Sequence, residues 1–152
     1  MDTIHIEGEI VINRPVEIVF DFVANECNEP RYNPRILRAD KISDGPIGLG
    51  TQFRAETAGM GKPVEIIIEI TAYDRPRQLT SSIRMSIMDI NGTLTFDLAS
   101  NGTRMQWSWD IKPHGVFKLM KPMLGIIGKR QEQHNWKCLK HYLEAQEAPP
   151  GQ

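Results

Sequence analysis

The chain has 152 residues, 40% of them hydrophobic and 24% charged, which suits one domain with a sizeable core and argues against wholesale disorder. Eighteen basic residues against 19 acidic ones leave a formal net charge of -1, so no nucleic-acid partner is expected. The opening MDTIHIEGEI lacks the basic leader and apolar run of a signal peptide, and the patch MLGIIG is far too short to cross a bilayer. A cytoplasmic protein is the expectation, with Cys27 and Cys138 as reduced thiols.

Residues 3–12 alternate, with Ile4, Ile6, Ile10 and Ile12 on one phase and His5, Glu7 and Glu9 on the other, which predicts a half-buried strand. Pro15 suits the first position of a helix and Glu17 its positive end. Val16, Val19, Phe20 and Val23 then follow the helical stripe as far as Asn25. The stretch CNEPRYNPR predicts a short helical turn ending near Tyr32. Strands are expected over Ile36–Ile42 and Thr51–Thr57, followed by the tip AGMGKP. The alternation Val64, Ile66, Ile68, Ile70 comes next, then Leu79 to Ile87, then Ile90 to Leu98. Asn101-Gly102 reads as a type I′ hairpin into Met105, Trp107, Trp109 and Ile111. The sequons at Asn91 and Asn101 are turn chemistry on this reading rather than glycan sites. From Phe117 to Gln146 a long helix is expected, with a kink or delayed start because of Pro122, Gly125 and Gly128. Asn135, Leu139, Tyr142 and Leu143 share one of its faces. The tail, residues 147–152, is expected to be disordered, leaving one domain over residues 1–146.

These pieces predict an α+β architecture: a curved seven-stranded antiparallel sheet wrapped around a long C-terminal helix, with short helices after the first strand. The stretches VINRPVEIVFDFVANECNEPRYNPRI, GLGTQF, ITAYDRPRQL and NGTRMQWSWDI resemble the START-like, helix-grip (SRPBCC) superfamily in its polyketide cyclase/dehydrase and lipid-transport branch. The resemblance spans nearly the whole chain. It implies an apolar ligand held between sheet and long helix, with enzymatic activity in a few members. Tyr32 stands where that family often has tryptophan, which implies an aromatic residue at the pocket mouth.

The inward phase of the sheet carries Phe53, Ala55, Ile66, Ile68, Ile83, Met85, Leu94, Phe96, Met105, Trp107 and Trp109, with Ser81 as its main polar group. No carboxylate, lysine or histidine is expected inside. That composition suits a ligand wall, and one helix is expected to underfill so curved a sheet, leaving a cavity of the usual ligand-site size. Expected ligand contacts are Tyr32, Phe53, Ile66, Ile68, Ile83, Met85, Leu94, Phe96, Met105, Trp107, Trp109, Met120, Leu124 and Ile127. Tyr32, Asn33 and the AGMGKP tip are expected at the mouth.

Searching for chemistry yields little. There is no G-x-S-x-G elbow, GPIGLG lacks the lysine of a phosphate loop, and the four histidines are scattered, so neither a cofactor nor a metal is expected. Tyr32 is the leading weak candidate for a catalytic donor, with Arg54 and His114 behind it. Lys118, Lys121, Lys129, Arg130, Lys137 and Lys140 line the C-terminal segment among apolar residues. They read mainly as a solvated face and secondarily as a transient membrane contact. The sequence therefore favours a carrier or sequestering protein for a lipid, isoprenoid or aromatic polyketide-like molecule. A cyclase or dehydratase is the alternative, and a protein-interaction module the second alternative.

Overall fold

The computed structural model describes residues 3–59 and 61–146, so Met60 of the AGMGKP tip and the expected tail at 147–152 lie outside the described residues. Alternation in the first stretch becomes β1, Ile4–Ile12, with Ile6 and Ile12 buried and His5, Glu7 and Glu9 in water. Pro15 takes the cap position ahead of α1, Val16–Ala24, rather than a helical one; its φ of -58° launches the first turn. α1 buries Val16, Val19, Phe20, Val23 and Ala24. Phe20 meets Tyr73 and Phe96 edge-on, with ring centroids 5.3 and 5.1 Å apart. A 3-10 segment, Glu26–Arg31, follows immediately, capped by the Asn25 side chain accepting from the Cys27 N–H.

The other strands are β2 (Ile36–Lys41), β3 (Gln52–Thr57), β4 (Val64–Asp74), β5 (Gln78–Arg84), β6 (Met88–Ala99) and β7 (Gly102–Pro113). All pairings are antiparallel, in the order β1-β7-β6-β5-β4-β3-β2, so β2 to β7 form a meander and β1 closes against its last strand. Register shifts at Ile36/Arg38 and Ile70/Ala72 bend the sheet. Two glycines thin it where bulky rings must lie flat. Gly8 is opposite Trp107 and Gly92 opposite Trp109, and a Cβ on either glycine would overlap the indole.

Two local expectations change, and a third holds. β5 stops at Arg84 instead of running to Ile87, because the Met85 N–H turns back to the Met88 carbonyl. The β6–β7 loop is Ser100-Asn101, since Ala99 pairs with Gly102. No described non-glycine residue has positive φ, so no type I′ turn forms at Asn101-Gly102. Gly102 serves instead as a close-approach point, where a Cβ would lie 2.2 Å from the Ile12 carbonyl oxygen. The C-terminal helix has the delayed start: a 3-10 turn, Gly115–Met120, precedes α2, Lys121–Ala145.

The path of α2 is fixed at both ends. Early on it crosses β1 through Gly125 and Gly128, and a Cβ on Gly128 would sit 2.7 Å from Ile6 Cδ1. Near its end it is tied to the β1–α1 link. Lys140 donates to the Val11 carbonyl at 2.7 Å, Arg14 donates to the Leu143 carbonyl at 2.7 Å, and the Asn13 N–H donates to Glu144 at 2.8 Å. Trp136, Leu139 and Leu143 are the α2 side chains buried against the sheet. The core therefore fills the space between α1, the sheet and the second half of α2.

Candidate functional site

A cavity of about 110 Å³ lies between the sheet and α2. Its sheet side is Ile36, Ile66, Ile68, Leu79, Ser81, Ile83, Leu94 and Trp109, contributed by five strands whose alternation turns those residues inward. Its other side is polar. The 3-10 segment and its cap bring Glu26, Glu29 and Tyr32, and about one turn of α2 brings Glu132, Asn135 and Trp136. The expectation of an interior without carboxylates holds for the sheet and fails for the helical wall.

The hollow is small because aromatic rings fill most of it. Trp136, 7% exposed, packs on Trp107 with ring centroids 6.0 Å apart and on Tyr32 at 6.4 Å. Tyr32 continues to Phe22 at 6.0 Å, and Phe22 to Tyr142 at 5.4 Å. Ligand sites for drug-sized molecules occupy roughly 300–1,000 Å³. The expectation of a cavity in that range is corrected by this aromatic plug. A broader dent of about 390 Å³ lies on the water-facing side of the sheet, among Glu7, Glu9, Thr93, Thr95, Gln106 and Ser108, and gathers no comparable groups among the described residues.

Burial and mutual repulsion govern the acids. Burial, then the Glu29 charge, pushes the Glu132 carboxyl up to about 8, with the Trp136 indole partly opposing the rise. Burial, then the charge of Glu29 and a hydrogen bond with it, raises Glu26 well above the ordinary carboxyl range. Glu26 and Glu29 lie within hydrogen-bonding reach of each other. Burial and the charges of Glu29, Glu26 and Glu132 lift the Tyr32 phenol well above its usual value, so Tyr32 is a donor and not a base. Asn33 Nδ2 donates to Glu29 at 3.0 Å and holds it in place. Among the described residues, the lining holds no lysine, arginine or histidine. Nor, among them, do three metal-ligating side chains converge on a point that could hold an ion.

Of the expected contacts, Tyr32, Ile66, Ile68, Ile83, Leu94 and Trp109 come together around the cavity. Phe53, Phe96 and Met105 are fully buried in the core beyond it, Trp107 is covered by Trp136, and Met85 packs at the core's edge. Met120, Leu124 and Ile127 do not line it: Met120 ends the 3-10 turn ahead of α2, and beyond it α2 presents glycines to β1, with Ile127 50% exposed. Asn33 is a buried turn residue, accepting from the Arg35 N–H, and the described part of the tip does not line the cavity. Arg54 pairs with Glu65 on the outer face, and His114 lies 3.3 Å from Asp89, away from the cavity. Glu26, Glu29, Glu132 and Trp136 escaped the sequence reading. The shared face of Asn135, Leu139 and Leu143 extends back by three residues to Glu132 and would have exposed it.

A family model described as polyketide cyclase / dehydrase and lipid transport matches residues 3–144. Among solved structures, the Zhui aromatase/cyclase from Streptomyces sp. R1128 is similar at a TM-score of 0.82 and 12% identity, with 98% of each chain covered. A START superfamily protein from Mycobacterium smegmatis is similar at 0.80 and 15%, covering 93% of this chain and 98% of its own. TTHA0849 from Thermus thermophilus is similar at 0.80 and 18%, covering 95% and 99%. At these identities the likeness concerns the fold. No curated protein sequence matches the chain.

The raised Glu132 carboxyl has a consequence for stability. Between its ordinary value and about 8 the folded state holds a proton that the unfolded chain releases, so this contribution falls as pH rises through that window and is lost above it. Replacing Glu132→Gln removes that contribution. In thermal melts the parent should lose more Tm between pH 5.5 and 8.5 than the variant, by roughly 3 °C or more, corresponding to about 1 kcal/mol. Superimposable pH profiles would place the carboxyl in water.

Proposed function

Because the chain belongs to the polyketide cyclase / dehydrase and lipid transport family, we propose that it binds a compact, largely apolar small molecule in the cavity between sheet and α2, as a carrier or sequestering protein. The observation that carries this reading is the enclosed aliphatic wall of Ile66, Ile68, Ile83 and Leu94 facing the underside of α2. Burying apolar ligand surface there supplies roughly 25 cal/mol per Å² before the costs of association. A lipid, isoprenoid or aromatic polyketide of the expected kind exceeds about 110 Å³, so such a cargo requires Trp136 to swing out of the hollow. A cytoplasmic location fits this role, and no helix among the described residues is long and apolar enough to cross a membrane.

A second reading, acid–base catalysis of dehydration or cyclisation, is favoured by one observation: a carboxyl held near neutrality beside a phenol donor at the same cavity. Contact with a membrane during ligand exchange is a further part of the carrier proposal. Residues 111–131 contain no aspartate or glutamate. Over that stretch Val116, Leu119, Met123, Ile126 and Ile127 stand exposed among Lys118, Lys121, Lys129 and Arg130. Apolar anchors ringed by cations suit an anionic bilayer surface.

Each reading has its own check. Titrating compact lipophiles should change the emission of Trp109, and Ser81→Leu, which fills the cavity, should weaken binding at least tenfold. An unresponsive parent protein across the panel would remove the binding reading. For catalysis, turnover of β-hydroxycarbonyl probes should fall about 100-fold in Glu132→Gln; no turnover by the parent, or equal rates in both proteins, leaves no acid–base role. For the membrane, sedimentation with vesicles should require anionic lipid and be lost in Leu119→Glu, whereas equal behaviour of neutral and anionic vesicles would refute the contact.

A further inference from the structure

We propose that the ligand is an organic ammonium ion, a primary or secondary amine on a small apolar body, received by the Glu26, Glu29 and Glu132 wall of the cavity. This rests on the binding reading above and specifies its substrate class.

Four observations point the same way. Three carboxyl side chains border one enclosed space whose described lining contains no cationic side chain. Burial beside the Glu29 carboxyl raises Glu26 well above the ordinary carboxyl range, so like charges already crowd this wall, which a neutral ligand cannot offset and an anionic one makes worse. Among the described residues no three metal-ligating side chains are grouped to hold a metal ion, so a larger, carbon-borne cation suits this wall better than a bare one. The rest of the lining suits such a group. Tyr32, Trp109 and Trp136 supply aromatic surface for a cation, and the strand side supplies hydrocarbon for its body, with no titratable side chain among the described strand residues that line it.

The tryptophans add a second observation. Trp109 and Trp136, each 7% exposed, both line the cavity, and the indole N–H of each lacks a well-formed hydrogen bond among the described residues, although that of Trp136 lies near enough to Glu132 to ease that carboxyl's ionisation. A cation entering beside Glu132 draws off its proton, and the resulting carboxylate becomes the stronger acceptor for that N–H. Binding therefore neutralises the acidic wall and satisfies the buried donor together. The released proton goes to solvent while the ammonium keeps its own.

Three probes of one shape separate the possibilities: benzylamine, benzyl alcohol and benzoate, titrated calorimetrically at pH 7 in phosphate and in MOPS. Benzylamine should bind at least tenfold more tightly than benzyl alcohol, benzoate should not bind measurably, and the amine's heats should differ between buffers by the released proton. Glu132→Gln and Glu29→Gln should each cut the preference for amine over alcohol to under threefold, leaving alcohol binding in place. Alcohol bound as tightly as amine, or amine bound without proton release, overturns the ammonium assignment and leaves the binding reading intact. No binding by any of the three, or by the lipophile panel, removes both.

Discussion

The insertion of Trp136 between Trp107 and Tyr32 sets the character of the interior. A curved sheet leaves more space than a bare helix can fill, and here an indole from α2 occupies it. That placement is imposed from both ends of the helix. The close crossing at Gly128 brings α2 down onto β1, and the hydrogen bonds from Lys140, Arg14 and Asn13 hold its far end to the β1–α1 link. With Trp136 directed inward, the side chain one turn earlier must share its face. Glu132 is therefore carried to the cavity edge, where it meets Glu29 and Glu26.

Placing three acids there works against folding. Carboxyls taken out of water and set beside one another without a cation destabilise the native state unless they hold protons. The core tolerates this because it is well packed elsewhere: Phe20, Phe53, Phe96, Met105 and Leu139 are almost entirely buried. The Asn33 side chain also fixes Glu29 rather than letting it turn away to solvent. A local conflict of this kind, maintained inside an otherwise consistent structure, is the usual mark of a site shaped by function rather than by stability.

The architecture was legible because its two periods are clean. Alternation in Val64–Ile70 and Met105–Ile111 placed the inward side chains correctly, and the stripe in α1 named four of its five buried residues, although Ile18, expected to widen it, is exposed. The hydrocarbon half of the cavity came from that same alternation. The acidic half did not, for two physical reasons. Glu26 and Glu29 belong to a 3-10 segment too short to have a recognisable face, and no local pattern shows which way it points. In α2 the first half carries Met123, Ile126 and Ile127 outward, with glycines against β1, so apolarity alone wrongly directed Ile127 to the interior. Where small residues rather than large ones mark the buried side, hydrophobic periodicity loses its meaning. The hairpin forms as expected, but its turn falls one residue earlier: Gly102 serves close backbone contact with Ile12, not the turn beside it.

Fold likeness at 12–18% identity cannot choose between carrier and catalyst, since side chains on one scaffold support many activities. The acidic wall narrows the choice by a different route. A site whose carboxyls are pushed up, Glu132 to about 8, has two uses for their protons. It can release them to solvent when a positive charge arrives, which converts unfavourable burial into affinity. It can instead deliver one to a leaving hydroxyl or an enolate, which converts the same unfavourable burial into a lower barrier. Both depend on Glu132 staying largely shielded from water beside Trp136. What separates them is a property of the guest: a charge that persists favours binding alone, whereas a bond ready to break turns the same carboxyl into an acid.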